Sequence, residues 1–341
     1  MNTILKRTLI ASGCLWLGAG LSACGGGGGG GAQTPAAVAS KADVLRSLAV
    51  VLNAASDFDP QSEGLYPLGD GSAAGSIATP GDTSATSVDC EISGKQSEDA
   101  STANRIYSLF SNIVIESDTY HDLYTDCVAS YLRSDSSSGE LSINGALESG
   151  AGNYDPVKEE NTDDYRYVLF GKSGDASKRL VAVYREQDED NNVTATQSYT
   201  LEGLIENGSF EDRVESRLRN LAVLESDGSR AGQLSLVLGG DAALRLVRKN
   251  DGSLSISGPL SFSSSRNAEC KGAALELATV SDLKSDGGTL VAGTLNISVD
   301  TTTASLSFQA DGSAQLSVGG AAALSISKDE LQAALNSASG C

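Results

Sequence analysis

From about residue 140 onward the apolar residues of this chain fall at every second position, and no other feature restricts its fold as tightly. Leu141 and Ile143 alternate with Ser142 and Asn144. Tyr165, Tyr167 and Leu169 follow the same pattern, as do Leu234-Leu236-Leu238, Leu244-Leu246, Leu254-Ile256, Leu295-Ile297-Val299, Leu306-Phe308 and Leu316-Val318. Period two gives a strand one greasy face and one polar face. Turn signals separate the runs: Asn207-Gly208, Asp227-Gly228, Gly239-Gly240, Asp251-Gly252, Asp286-Gly287 and Asp311-Gly312. Such dipeptides accept the positive φ of tight hairpins. The pattern predicts a mainly β chain, an antiparallel meander forming a sandwich or an open barrel.

Helices flank this region. Ser40-Lys41-Ala42-Asp43 resembles a capping box, and Leu45, Leu48, Leu52 and Ala55 recur at helical spacing. A helix is predicted over Lys41 to Ala55, stopped by Asp59-Pro60. Residues 56–87 read as a long loop. Val88, Cys90 and Ile92 alternate as a strand would. Asp99 is placed to cap a helix carrying Ile106, Leu109, Phe110 and Ile113. Ser327-Lys328-Asp329-Glu330 opens a short C-terminal helix with Leu331, Ala334 and Leu335 on it.

Composition narrows the function. Hydrophobic residues make up 40% of the 341, enough for a core, but aromatics only 5%, so that core is aliphatic. Asp and Glu number 44 against 24 Lys and Arg, a formal charge of -20. Nucleic acid and anionic lipid surfaces select basic patches, so neither is an expected partner. The one histidine, His121, excludes any zinc site built on paired histidines.

The first residues read MNTILKRTLIASGCLWLGAGLSAC. Lys6 and Arg7 precede an apolar stretch, Thr8 to Leu21, too short to span a bilayer comfortably. This is the layout of a secretory signal. Its end, Leu21-Ser22-Ala23-Cys24, resembles the lipobox of bacterial lipoproteins. That resemblance implies cleavage before Cys24 and lipid attached to Cys24, with several acyl chains giving stable anchoring. Gly25 follows, which by resemblance to enterobacterial lipoproteins implies sorting to the outer membrane. Gly25 to Gly31 is unbroken glycine, a flexible tether with a span of roughly 20 Å. Similar tethers occur in lipoproteins displayed on cell surfaces. Cleavage removes two of the 24 basic residues and no acid, so the processed chain carries -22 in place of -20.

Cys14 leaves with the signal. Cys90, Cys127, Cys270 and Cys341 remain, an even number in an oxidising compartment. Three pairings exist, and Cys90–Cys127 with Cys270–Cys341 is favoured because these are neighbours in sequence order. No C-x-x-C spacing occurs, which argues against a redox or zinc-ribbon site.

Cys270-Lys271-Gly272, Gly293-Thr294-Leu295-Asn296-Ile297 and Ala310-Asp311-Gly312-Ser313 are similar to segments of uncharacterised lipoproteins of Gram-negative bacteria. Cys127 followed by Leu141-Ser142-Ile143-Asn144-Gly145 echoes the same pattern. The resemblance covers about a third of the chain and brings no activity with it.

Candidate chemistry is sparse. His121 lies in Asp118-Thr119-Tyr120-His121-Asp122, where a carboxylate could orient it as a general base. The plainer reading is a surface histidine in an acidic stretch. No G-x-S-x-G elbow accompanies it. Ser281-Asp282-Leu283-Lys284 and Ser325-Ile326-Ser327-Lys328 match S-x-x-K, but the companion motifs of β-lactamases are absent. Two acidic clusters, Asp155 to Asp164 and Glu186 to Asn192, carry hard oxygen ligands suited to calcium. In the second, Val193 stands where an EF-hand loop needs glycine and Tyr199 where it needs glutamate, so a solvated hairpin tip is preferred. Nine of the ten tyrosines fall between Tyr107 and Tyr199. Tyrosine anchors protein partners, which makes Tyr120, Tyr124, Tyr131, Tyr165 and Tyr167 the candidate interface.

The chain therefore divides into a signal (1–23), a lipidated tether (24–36), a mixed helical and loop-rich segment (37–135) and an antiparallel β region ending in a helix (136–341). The expected function is that of a non-enzymatic protein of the cell envelope, on the periplasmic side or the cell surface. It is held to the membrane through Cys24, needs no cofactor or metal, and either plays a structural part in the envelope or binds an envelope or extracellular partner. The second reading is a periplasmic carrier of lipid or another apolar ligand. A hydrolase using His121 or a carboxylate pair is third.

Overall fold

The computed structural model describes residues 36–60, 86–105, 115–132, 138–152, 165–171, 179–188, 191–228, 232–267, 270 and 272–336. The signal, Cys24 and the glycine tether lie outside these, as do Ile106 to Ile113, the Asp155 to Asp164 cluster and Cys341.

The chain enters the fold through a single 3-10 turn, Ala36–Val38, and then a helix, α1 (Lys41–Asp57). Ser40 caps α1: the Asp43 N–H donates to Ser40 Oγ at 3.2 Å, and the Ser40 hydroxyl donates to the Asp43 carboxylate at 2.6 Å. The helix runs two residues past Ala55, and the Phe58 N–H closes it on the Ala54 carbonyl at 3.1 Å.

Among the described residues sixteen strands follow. They are β1 (Thr86–Asp89), β2 (Ser93–Arg105), β3 (Ile115–Leu132), β4 (Ser138–Gly152), β5 (Tyr165–Phe170), β6 (Leu180–Gln187), β7 (Val193–Ser209) and β8 (Arg213–Asp227). Then come β9 (Gln233–Leu238), β10 (Leu244–Lys249), β11 (Leu254–Ser264), β12 (Ala273–Asp286), β13 (Thr289–Val299), β14 (Thr302–Phe308), β15 (Ala314–Val318) and β16 (Leu324–Ile326), before a last helix, α2 (Lys328–Asn336). All form one antiparallel sheet in sequence order, β1 to β16. β5 and β6 lie end to end between β4 and β7, and β9 and β10 do the same between β8 and β11. Each pair continues along one line between the same two neighbours, so the meander is simpler than its strand count.

The alternation decides which side faces inward. Leu218, Leu244, Leu246, Leu295, Ile297, Leu306 and Leu316 are buried on one face. They share a single core with α1 and the 3-10 turn. Ser47 to Val51, five consecutive residues of α1, are all buried. Successive helical residues point about 100° apart, so five in a row leave no side exposed. α1 is thus covered on every side over this stretch and packs in one core with the inward face of the sheet, with α2 also against it. Among the described residues no ladder joins β1 to β16.

Curvature comes from glycines inside strands. Gly145 in β4, Gly203 in β7, Gly258 in β11 and Gly293 in β13 all have positive φ. Gly203, with φ +131°, sits at a register shift between Glu202 and Leu204, where a Cβ would meet the Asn220 carbonyl oxygen at 2.4 Å. Bulges with glycine are how sheets bend tightly enough to wrap.

Four expectations change. Asp99 caps no helix: it lies in β2, opposite His121 of β3. The period-two rule misses β2 because its inward residues, Gln96 and Glu98, are polar. Cys90 to Ile92 form a turn after β1 instead of continuing a strand. Asn207-Gly208 is no turn. It lies within β7, and the hairpin closes later where the Phe210 N–H donates to the Arg213 carbonyl at 2.8 Å. Finally, the sheet begins at Thr86, inside the segment read as helical and loop-rich, and β3 pairs β4 across residue 135.

Candidate functional site

Cys90 and Cys127 form a disulfide with Cα atoms 5.5 Å apart. It fastens the β1–β2 turn onto β3. The Ile92 N–H donates to the Val128 carbonyl at 2.9 Å, and Glu91 accepts from the Ser130 N–H at 3.0 Å and its hydroxyl at 2.5 Å. The Ser130 hydroxyl and N–H hold the Glu91 carboxyl below its usual range. Cys270 is also disulfide-bonded.

The polar residues gather in two places. On the inner face of β2 and β3, Glu98 stands opposite Asp122 and Gln96 opposite Tyr124. All four are buried, at 2%, 7%, 5% and 2% exposure. Gln96 Nε2 donates to Asp122 Oδ1 at 2.9 Å. The Tyr124 hydroxyl has no partner among the described residues. Burial, with the charges of Asp122 and Glu98, pushes its phenol far up.

The outer face carries a row across six strands. His121 of β3 is opposite Glu148 of β4. One step along the same face Tyr167 of β5, opposite Gly150, faces Glu206 of β7, which faces Arg217 of β8, which in turn faces Arg245 of β10. The Tyr167 hydroxyl donates to Glu148 Oε1 at 3.0 Å, and His121 Nδ1 lies 3.7 Å from Glu148 Oε2. The carboxylate beside His121 thus comes from across the sheet. Asp122, next to it in sequence, points to the other face.

Arg217 and Arg245 are like charges directly opposite, an arrangement that destabilises a strand pair. Glu215 resolves it. Its Oε1 accepts from Arg217 Nε at 2.6 Å and Arg245 Nε at 2.7 Å, while Arg213 Nε approaches Oε2 at 3.5 Å. Burial pushes the Glu215 carboxyl up, but Arg245 and Arg217 outweigh it and hold the carboxyl below its usual range. This cluster fixes β8 against β10 and is structural in character.

The five tyrosines do not make one surface. Tyr124 faces inward and Tyr167 outward, and both are buried. Tyr120 is half-buried on the inward side. The side chains of Tyr131 and Tyr165 lie outside the described ones. Asp188 closes the β6–β7 turn, with Oδ1 accepting from the Asn192 N–H at 2.8 Å. Among the described residues no three His, Cys, Asp or Glu side chains gather as a metal site. Lys284 of the first S-x-x-K motif pairs with Asp251 at 2.8 Å instead of serving a serine.

Sequence reasoning missed Glu148, Glu215 and Gln96, because register alone brings them to their partners. It also missed the four strand glycines, although an isolated glycine in an alternating run is itself a signal for a bulge. No family model, curated protein or solved structure matches this chain.

Proposed function

We propose that this chain is a lipid-anchored, non-enzymatic protein of the cell envelope that binds a partner. The observation carrying this reading is Leu21-Ser22-Ala23-Cys24 followed by seven glycines, Gly25 to Gly31. Anchor and tether are what a displayed body needs. The disulfide fits an oxidising compartment. The core supports partner binding over ligand carriage, because the inward apolar face of the sheet is packed against α1. The His121–Glu148–Tyr167 contact orients an imidazole at the surface, but among the described residues no hydroxyl or thiol nucleophile is hydrogen-bonded to it.

Metabolic labelling with a palmitate analogue tests the anchor: the wild type takes label and Cys24→Ala does not. Label in both would sink the reading. Protease shaving of intact and lysed cells then assigns the face of the membrane. Digestion in intact cells means extracellular partners, and protection until lysis means periplasmic ones.

A further inference from the structure

The Asp-Gly steps of the described hairpins are chemically alike and structurally unlike. In such a step the glycine nitrogen can attack the aspartate Cγ, because no glycine side chain shields it. The attack needs a carboxyl free to turn and take up a proton, and an N–H engaged by nothing else. Three steps fail the second condition. The Gly228 N–H donates to the Thr196 carbonyl at 2.7 Å, Gly252 to Lys249 at 2.9 Å and Gly312 to Gln309 at 2.9 Å.

Two of those steps fail the first condition as well. Asp251 Oδ1 accepts from the Ser253 hydroxyl at 2.5 Å and its N–H at 3.0 Å, and Oδ2 takes Lys284 Nζ at 2.8 Å. Asp311 Oδ1 accepts from the Ser313 hydroxyl at 2.6 Å and its N–H at 2.9 Å. Lys284 and Ser253 hold the Asp251 carboxyl far below its usual range, and Ser313 lowers that of Asp311, so the neutral acid that must lose water is scarce at both.

Asp286-Gly287 escapes both restraints. It forms the apex of the β12–β13 hairpin, with Asp286 opposite Thr289. Gly287 and Gly288 take φ of +55° and +80° in the exposed loop. Among the described residues nothing stands within 4 Å of where a Cβ on Gly287 would lie, and no hydrogen bond engages the Asp286 carboxylate or the Gly287 N–H.

We propose that, among the Asp-Gly steps of the described residues, Asp286 is the one that converts to isoaspartate in the folded chain. The Gly287 nitrogen bonds to Asp286 Cγ, one Cγ–O bond breaks and water leaves, closing a succinimide. Water then adds at the former main-chain carbonyl carbon, and its bond to the Gly287 nitrogen breaks. The chain now runs through the side-chain carbonyl and the α-carboxylate is free. One water leaves and one enters, and the charge is unchanged. The product inserts a methylene into a two-residue loop.

The test is to age the processed, oxidised protein at neutral pH in heavy-oxygen water and map isoaspartate by electron-transfer fragmentation of its peptides. Isoaspartate bearing one heavy oxygen should accumulate at Asp286 several-fold faster than at Asp251, Asp311 or Asp227. A rate at Asp286 equal to or below any of these overturns the proposal. In concentrated urea the four rates should converge. The same ranking in urea overturns it too, since sequence rather than fold would then set the order.

Discussion

Lys41, the first residue of α1, holds Glu330 of α2 at 2.7 Å across 289 positions of chain. The same ammonium donates to the Ser325 carbonyl at 3.0 Å. Glu330 meanwhile completes its own capping box, accepting from the Ser327 N–H at 2.9 Å. Two helix starts, at opposite ends of the sequence, are thereby joined at one point.

That joint is exposed and pH-dependent. Lys41, with the Ser327 N–H and hydroxyl, holds the Glu330 carboxyl at about 2, from 4.5. A depressed carboxylate stabilises the fold above its unfolded value and loses that contribution as pH falls through the folded one. Glu330→Gln should therefore lower the melting temperature slightly at neutral pH, and the gap to wild type should close between pH 4.5 and about 2. A gap that persisted in stronger acid would mean the carboxylate is not the cause.

Glu215→Gln should cost about 3 kcal/mol in chemical denaturation, the lower end of the range for breaking a buried pair, because Arg245 is half-exposed. It leaves Arg217 facing Arg245 with no anion between. Arg245→Met alongside it should recover part of the loss. No recovery would show that the two arginines do not repel.

Replacing Cys90 and Cys127 together by serine should cost about 4 kcal/mol in the chain-entropy model, given a sequence separation of 37. Thiol titration of the oxidised processed protein should find no free thiols. Peptide mapping should join Cys270 to Cys341.

Leu48→Ala should cost about 3–4 kcal/mol, as for a filled core site, since Leu48 of α1 is fully buried. Leu52→Ala, at a partly buried position, should cost about half as much. Equal costs would contradict the difference in burial between the two positions.

Gly203→Ala should cost about 2–4 kcal/mol, because the added Cβ meets Asn220 and Leu221 backbone atoms at 2.4 and 2.5 Å. Gly252→Ala keeps a strained φ of +79° but has open space around it, so its cost should be near 1 kcal/mol, about the backbone term alone.

Where one face of a strand is apolar, the sequence is enough. The runs at Leu234-Leu238, Leu295-Val299 and Leu306-Phe308 all read as strands and are strands. Both capped helices were equally legible, because a cap is a local contact between residues three apart. β2 was not, because pairing with β3 and a disulfide hold it in the sheet without an apolar period. The His121–Glu148 and Glu215–Arg245 contacts were hidden for the same reason: each joins residues that only register brings together.

The position of α1 has a mechanical consequence. A pull applied at residue 36 reaches Val38, which is fully buried, and then the enclosed helix, before it reaches any edge strand. Traction on the N-terminus is thus delivered to the core and, through Lys41, to the C-terminal helix. If the chain is anchored at Cys24 as proposed, such a load falls first on the contacts of Val38 and α1 and only afterwards on the strands.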